Sequence, residues 1–164
     1  RTRLRKTIEQ ELADDPYAQK VFGELLRQAI AEAEAMFDHP LKQYALFKDF
    51  EEQVTSRQPP GTPDLLADKP HARAYFGVLR LVLGDDAVEA MDDVARQTLV
   101  AQALEIDKVV RMAVAENSLS PQSIEAAIRK GLLPLLFGKL GLDRAKEAVE
   151  QIVQITRLGL GKAP

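Results

Sequence analysis

The side chains in this chain that could do chemistry are few and scattered. Two histidines, His39 and His71, are candidates for metal binding or proton exchange. They stand too far apart for a helical His-x-x-x-His pair, and neither follows a Glu by three positions, as the Glu-x-x-His motif of di-iron bundles requires. Each lies beside a proline at a predicted helix entry. They read either as helix-entry residues or, if the fold joins them, as a shared metal or acid–base pair. Ser118, Ser120 and Ser123 have no histidine nearby in sequence, so a nucleophilic triad would need tertiary contact. Asp85, Asp86, Glu89, Asp92 and Asp93 put five acids in nine residues without a base. That run is either a solvated first turn, where the helix macrodipole favours carboxylates, or a site for a metal or a basic partner.

Other chemistries are excluded by inspection. Gly159-Leu160-Gly161-Lys162 lacks the hydroxyl residue and following helix of a phosphate-cradling loop. None of the ten lysines has Asp or Glu two positions before it, so a PD-(D/E)-x-K nuclease site is absent in its usual form. With no cysteine there is no thiolate zinc site, redox pair, disulfide or thiol nucleophile. The residues therefore predict no catalytic, cofactor-binding or metal site in this chain.

The elements that would position these groups are helical. Asp15-Pro16 pairs a cap residue with proline at the first helical position. Val21, Phe22, Leu25, Leu26, Ala29, Ile30 and Ala33 follow at helical spacing, giving a helix to about Phe37. Leu4, Ile8 and Leu12 mark a shorter helix before it, and Leu46, Phe50 and Val54 a third, ending near Arg57. Three prolines and a glycine within residues 58–63 form a rigid loop or a sub-domain hinge. A short helical turn is expected from Thr62. Pro70 then opens a helix with Ala72, Phe76, Leu79 and Leu83 inward, stopped by Gly84 as a left-handed cap. Val94 to Ala115 reads as a long central helix. Ser120-Pro121 starts another, which Gly131 and Pro134 are expected to interrupt, leaving Leu132 to Phe137 kinked or restarted. Asp143 is expected to cap a last helix, and Gly159 and Gly161 to end it.

Composition agrees with this reading. Of 164 residues 46% are apolar, but only nine are aromatic and none is Trp, so Ala, Leu, Val and Ile dominate, a diet suited to helix packing. The net charge of −3 argues against a protein that wraps nucleic acid in a basic surface. From Ser120 onward seven bases face four acids, without aromatic interleaving, and sequence-specific readout of DNA is not expected. No apolar run reaches the roughly 20 residues of a membrane span. The expectation is an all-α, irregular bundle of six to eight helices, soluble and cytoplasmic. Because it opens on Arg1 with no apolar leader segment behind it, it reads as one domain, residues 1–164, cut from a longer chain.

One segment invites a contact role. In Gly131-Leu132-Leu133-Pro134-Leu135-Leu136-Phe137-Gly138 the proline is expected to keep the apolar side chains off a single buried stripe. The segment is either a buried kink or an apolar patch for a partner. Leu132, Leu133, Leu135, Leu136 and Phe137, ringed by Arg129, Lys130 and Lys139, have the zoning of an interface, apolar at the centre and charged at the rim. On that reading Leu135→Asp with Leu136→Asp abolishes partner binding and spares the helices.

Longer stretches carry a resemblance. His39-Pro40-Leu41-Lys42-Gln43-Tyr44-Ala45-Leu46-Phe47-Lys48-Asp49-Phe50-Glu51 and His71-Ala72-Arg73-Ala74-Tyr75-Phe76-Gly77-Val78-Leu79 resemble the C-terminal region of the R subunit of type I restriction enzymes. So do Ala103-Leu104-Glu105-Ile106-Asp107, the run from Asn117-Ser118-Leu119-Ser120-Pro121 to Ile128, Leu132 to Phe137, and Gln151-Ile152-Val153-Gln154-Ile155-Thr156-Arg157. The resemblance spans residues 10–160. It implies a parent ATP-dependent deoxyribonuclease, whose nuclease and helicase-like motor domains use Mg and ATP and precede a helical C-terminal region. That region is expected to attach the motor to a methyltransferase core of modification and specificity subunits, with DNA nearby. The motifs of those activities are absent here, so no catalytic role transfers to these residues. The alternative from a different class is a free-standing helical adaptor.

Overall fold

Local rules set where the helices begin. In the computed structural model, which describes residues 2–35, 40–56, 62–117 and 119–162, the Asp15 carboxylate accepts a hydrogen bond from the Ala18 amide at 3.1 Å. Ser120 Oγ accepts from Ser123 at 3.2 Å and Asp92 Oδ1 from Ala95 at 2.8 Å. Each side chain satisfies an amide that the first helical turn leaves unpaired. These caps start three of the helices, which in chain order are α1 (Thr2–Glu11), α2 (Pro16–Ala35), α3 (Pro40–Ser56), α4 (Pro70–Leu83), α5 (Asp85–Glu89), α6 (Asp93–Glu116), α7 (Pro121–Leu140) and α8 (Leu142–Lys162). A 3-10 turn covers Asp64–Leu66, and no strand occurs among the described residues. The all-α expectation holds, with eight α-helices among the described residues.

The chain divides into two compact units, residues 1–62 and 63–164. Of the proline-rich segment at 58–63, residues 58–61 lie outside the described residues. In the first unit α2 packs on α1 and α3. Ile8 of α1, Leu12 in the turn just after it, Phe22 and Leu26 of α2, and Phe50 and Val54 of α3 belong to its core. The Phe22 and Phe50 rings meet edge-on, centroids 6.3 Å apart, the arrangement that aromatic quadrupoles favour.

In the second unit α4 packs on α6, α6 on α7, α7 on α8, and α8 back on α4. This is a four-helix bundle with up-down-up-down connections. Its core is mostly aliphatic, with Leu79, Ile106, Ile128, Leu132, Leu136, Ile152 and Val153 fully buried and Tyr75 and Phe76 the aromatic members. Two glycines make its tightest joints. The Gly84 amide closes α4 onto the Arg80 carbonyl while the Gly84 carbonyl accepts the first bond of α5 from Val88. Gly141 does the same between Phe137 of α7 and Ala145 of α8. Both have positive φ, 91° and 81°, which a side chain would strain. Gly84, with φ 91° and ψ 141°, stops α4 in the positive-φ half of the map as expected, but outside the left-handed helical well.

Pro134 does not break α7. The helix runs unbroken from Pro121 to Leu140 because Ile124, Ile128, Leu132, Leu136 and Leu140, four residues apart, all reach the core. An interior proline costs about 3 kcal/mol. Burying a side chain such as Leu or Ile returns roughly 1.5–3 kcal/mol each, so the five together outweigh it. Pro134 itself lies on the exposed side, where the carbonyl it leaves unpaired can meet water. Gly131 has a packing reason to be there: a Cβ on it would lie 2.8 Å from Val109 Cγ1 of α6. Two boundaries of α8 also differ from expectation. Gly141, not Asp143, occupies the cap position, and the helix continues through Gly159 and Gly161 to Lys162. No helix among the described residues is long and apolar enough to cross a membrane.

Candidate functional site

Because α7 is continuous, its contact candidates divide around the helix at 100° per residue. Leu132 and Leu136 are wholly buried in the bundle, and Leu133 and Leu135 are half-buried beside them. Phe137 turns outward and is 53% exposed, and Lys130 and Lys139 are also on the surface. Arg129 is engaged by Glu150 of α8, Nε donating to Oε1 at 2.8 Å and Nη2 to Oε2 at 3.1 Å. The apolar side chains do leave a single stripe, but through helical rotation and not through a proline break. A carboxylate at position 136 would enter the core, so Leu135→Asp with Leu136→Asp tests folding and not contact. What remains outside is Phe137, then Leu142 across the Gly141 joint, 46% exposed, with Lys139 between them in sequence.

A second site lies at the other end of the bundle. The start of α4 and the last turns of α6 and α8 frame a cleft of about 510 Å³. Val110, Val114, Ala115 and Ile155 supply its apolar lining, and His71, Tyr75, Asp107, Arg111 and Thr156 its polar groups. Asp107 and Arg111, one turn apart on α6, form an ion pair of 2.9 Å between Oδ2 and Nη2. The pair is lopsided: the Asp107 side chain is 12% exposed and that of Arg111 73%. Thr156 Oγ1 donates to the Ile152 carbonyl at 3.0 Å. Burial pushes the Tyr75 phenol well above its ordinary value, and the Asp107 carboxylate adds to the effect, with a hydrogen bond to Thr156 and the charge of Arg111 opposing it. The phenol is therefore a neutral hydroxyl at physiological pH, beside a carboxylate.

The remaining candidates fall apart spatially or serve the fold. His71 stands exposed at the cleft, whereas His39 lies outside the described residues. In the acidic run, Asp85 binds the buried Arg80, its Oδ1 accepting from Nε at 3.1 Å, and Asp92 caps α6. Among the described residues no three His, Asp or Glu side chains gather as metal ligands. Ser120 caps α7, and Ser118 lies outside the described residues. The sequence reading missed Tyr75, Asp107 and Arg111. One local signal marks them: Asp107 interrupts the apolar stretch of α6 with a basic residue four positions on.

No known family model, curated protein or solved structure matches the chain.

Proposed function

We propose that this chain is a helical assembly module that attaches an ATP-dependent, DNA-translocating endonuclease subunit to a methyltransferase core of modification and specificity subunits, in the cytoplasm. The reading rests on the resemblance of residues 10–160 to the C-terminal region of type I restriction R subunits. The observation that carries it in the fold is Phe137, half-exposed on a helix whose other large apolar residues turn inward or lie half-buried. An exposed aromatic flanked by Leu142 and Lys139 suits the centre of a contact, because aromatic anchors hold most of the binding energy of protein interfaces. Nuclease, motor and DNA-reading roles stay with other parts of the assembly. ATP and Mg belong to the motor and nuclease domains of the parent.

The test is co-purification of the chain with a cognate core. Phe137→Asp with Lys139→Glu should reduce capture at least tenfold while the helical circular dichroism stays that of the wild type. Undiminished capture would remove the α7–α8 corner as the contact.

A further inference from the structure

We propose that the cleft framed by α4, α6 and α8 binds an organic ammonium on an apolar stem, with Asp107 as its counter-ion. This does not depend on the assembly reading. The volume, about 510 Å³, is that of a ligand pocket, and sites in helical bundles commonly form between the helices. Its walls fix the stem. Val110 and Val114 stand one helical turn apart, about 6 Å along the axis, and Ile155 faces in from α8, a lining suited to a chain of a few carbons.

The charge of the ligand follows from which partner of the ion pair is fixed. Asp107 is buried and Arg111 lies mostly in water, so the acid belongs to the floor and the base to the rim. A ligand seated among the valines has the carboxylate and the Tyr75 phenol on the floor beneath it, with the guanidinium out at the rim. Arg111 engages only Oδ2 in the ion pair and its guanidinium is mostly in water, so it can return to solvent when a cation bound on the floor takes its place. An anion faces the opposite situation, drawn by Arg111 at the mouth but repelled by a carboxylate that burial holds in place. The Tyr75 phenol, in the lining beside Asp107, adds a neutral hydroxyl whose oxygen can accept from an ammonium. An amine small molecule and a lysine side chain of a partner share this chemistry.

The probe is n-hexylamine titrated into the full chain and followed by amide chemical shifts, with n-hexanol and hexanoate as isosteric controls. Hexylamine should shift residues 107–115 and 152–156 and bind at least tenfold more tightly than either control. Asp107→Asn should bring the amine down to the level of the alcohol. Arg111→Ala, at an exposed position, should strengthen amine binding several-fold by freeing the carboxylate, and it decides the matter if the Asn variant does not fold. Nα-acetyl-lysine-N-methylamide separates the sources: binding as tight as hexylamine assigns the cleft to a lysine side chain, tenfold weaker binding to a free amine. Equal or tighter binding of hexanol or hexanoate, or an Arg111→Ala variant no better than the wild type, overturns the proposal.

Discussion

Arg129 of α7 holds Glu150 of α8 with two parallel hydrogen bonds, at 2.8 and 3.1 Å, and Arg157 pairs with Glu125 in the same antiparallel register. These ties fix α7 against α8 on one face and leave Lys130 and Lys139 as the cations near the apolar run. The bond from Arg129 holds the Glu150 carboxyl below its ordinary value, against a smaller opposing effect of burial. A lowered folded value means the contribution is present above the unfolded value and is lost as pH falls through the folded one. Arg129→Gln should therefore flatten the acid limb of a stability–pH curve while leaving capture by a partner core within twofold. Urea unfolding between pH 7 and pH 3 checks the first part. A steeper acid limb in the variant would contradict the assignment.

Gly131 and Val109 predict a change of sign. Alanine at 131 gains about 1 kcal/mol of helix propensity over glycine. Its Cβ, however, would meet Val109 Cγ1 at 2.8 Å, and overpacking costs typically 1–3 kcal/mol. Gly131→Ala should destabilise the wild type slightly and stabilise the Val109→Ala background. Denaturant midpoints of the four proteins in the cycle measure this. Additive effects would show that the glycine is not there for the approach of α6.

Neighbours on α7 should behave as opposites. Leu136→Ala should cost about 2–5 kcal/mol, the range for emptying a buried leucine site, while Phe137→Ala should stay within about 0.5 kcal/mol. Partner capture should show the reverse ranking, once Leu136→Ala is assayed at a temperature where it remains folded. Equal stability losses would mean that Phe137 packs inward.

Much of this fold was legible locally. Asp15-Pro16 and Ser120-Pro121 announced helix starts because a cap and a fixed proline φ act within one turn, and Phe22, Phe50 and Leu79 were assigned inward by spacing alone. The continuity of α7 through Pro134 is not legible locally, because the cost of the proline falls within one turn, whereas the stripe that overrides it is satisfied only when α7 meets the other helices. The contact candidates were sorted as a block for the same reason: without a continuous helix there is no angle to separate Leu136 from Phe137. The cleft was illegible, because Tyr75, Asp107 and Thr156 lie on three helices distant in sequence and nothing in their spacing brings them together.

Tyr75 gives the alkaline counterpart of the Glu150 prediction. Its raised value means the folded protein keeps a proton that the unfolded chain releases from about pH 10 upward. Its stabilising contribution is full below the unfolded value and is lost as pH rises toward the folded one. Urea midpoints at pH 8 and pH 10.5 should fall less in Tyr75→Phe than in the wild type. A fall of the same size in both would remove Tyr75 as the source.

The assembly role is tested most directly by mixing the purified chain with a cognate core of modification and specificity subunits and weighing the product by size-exclusion chromatography with light scattering. The expected result is a stoichiometric complex at micromolar concentration, formed with and without DNA. Separate elution of chain and core under both conditions would contradict it.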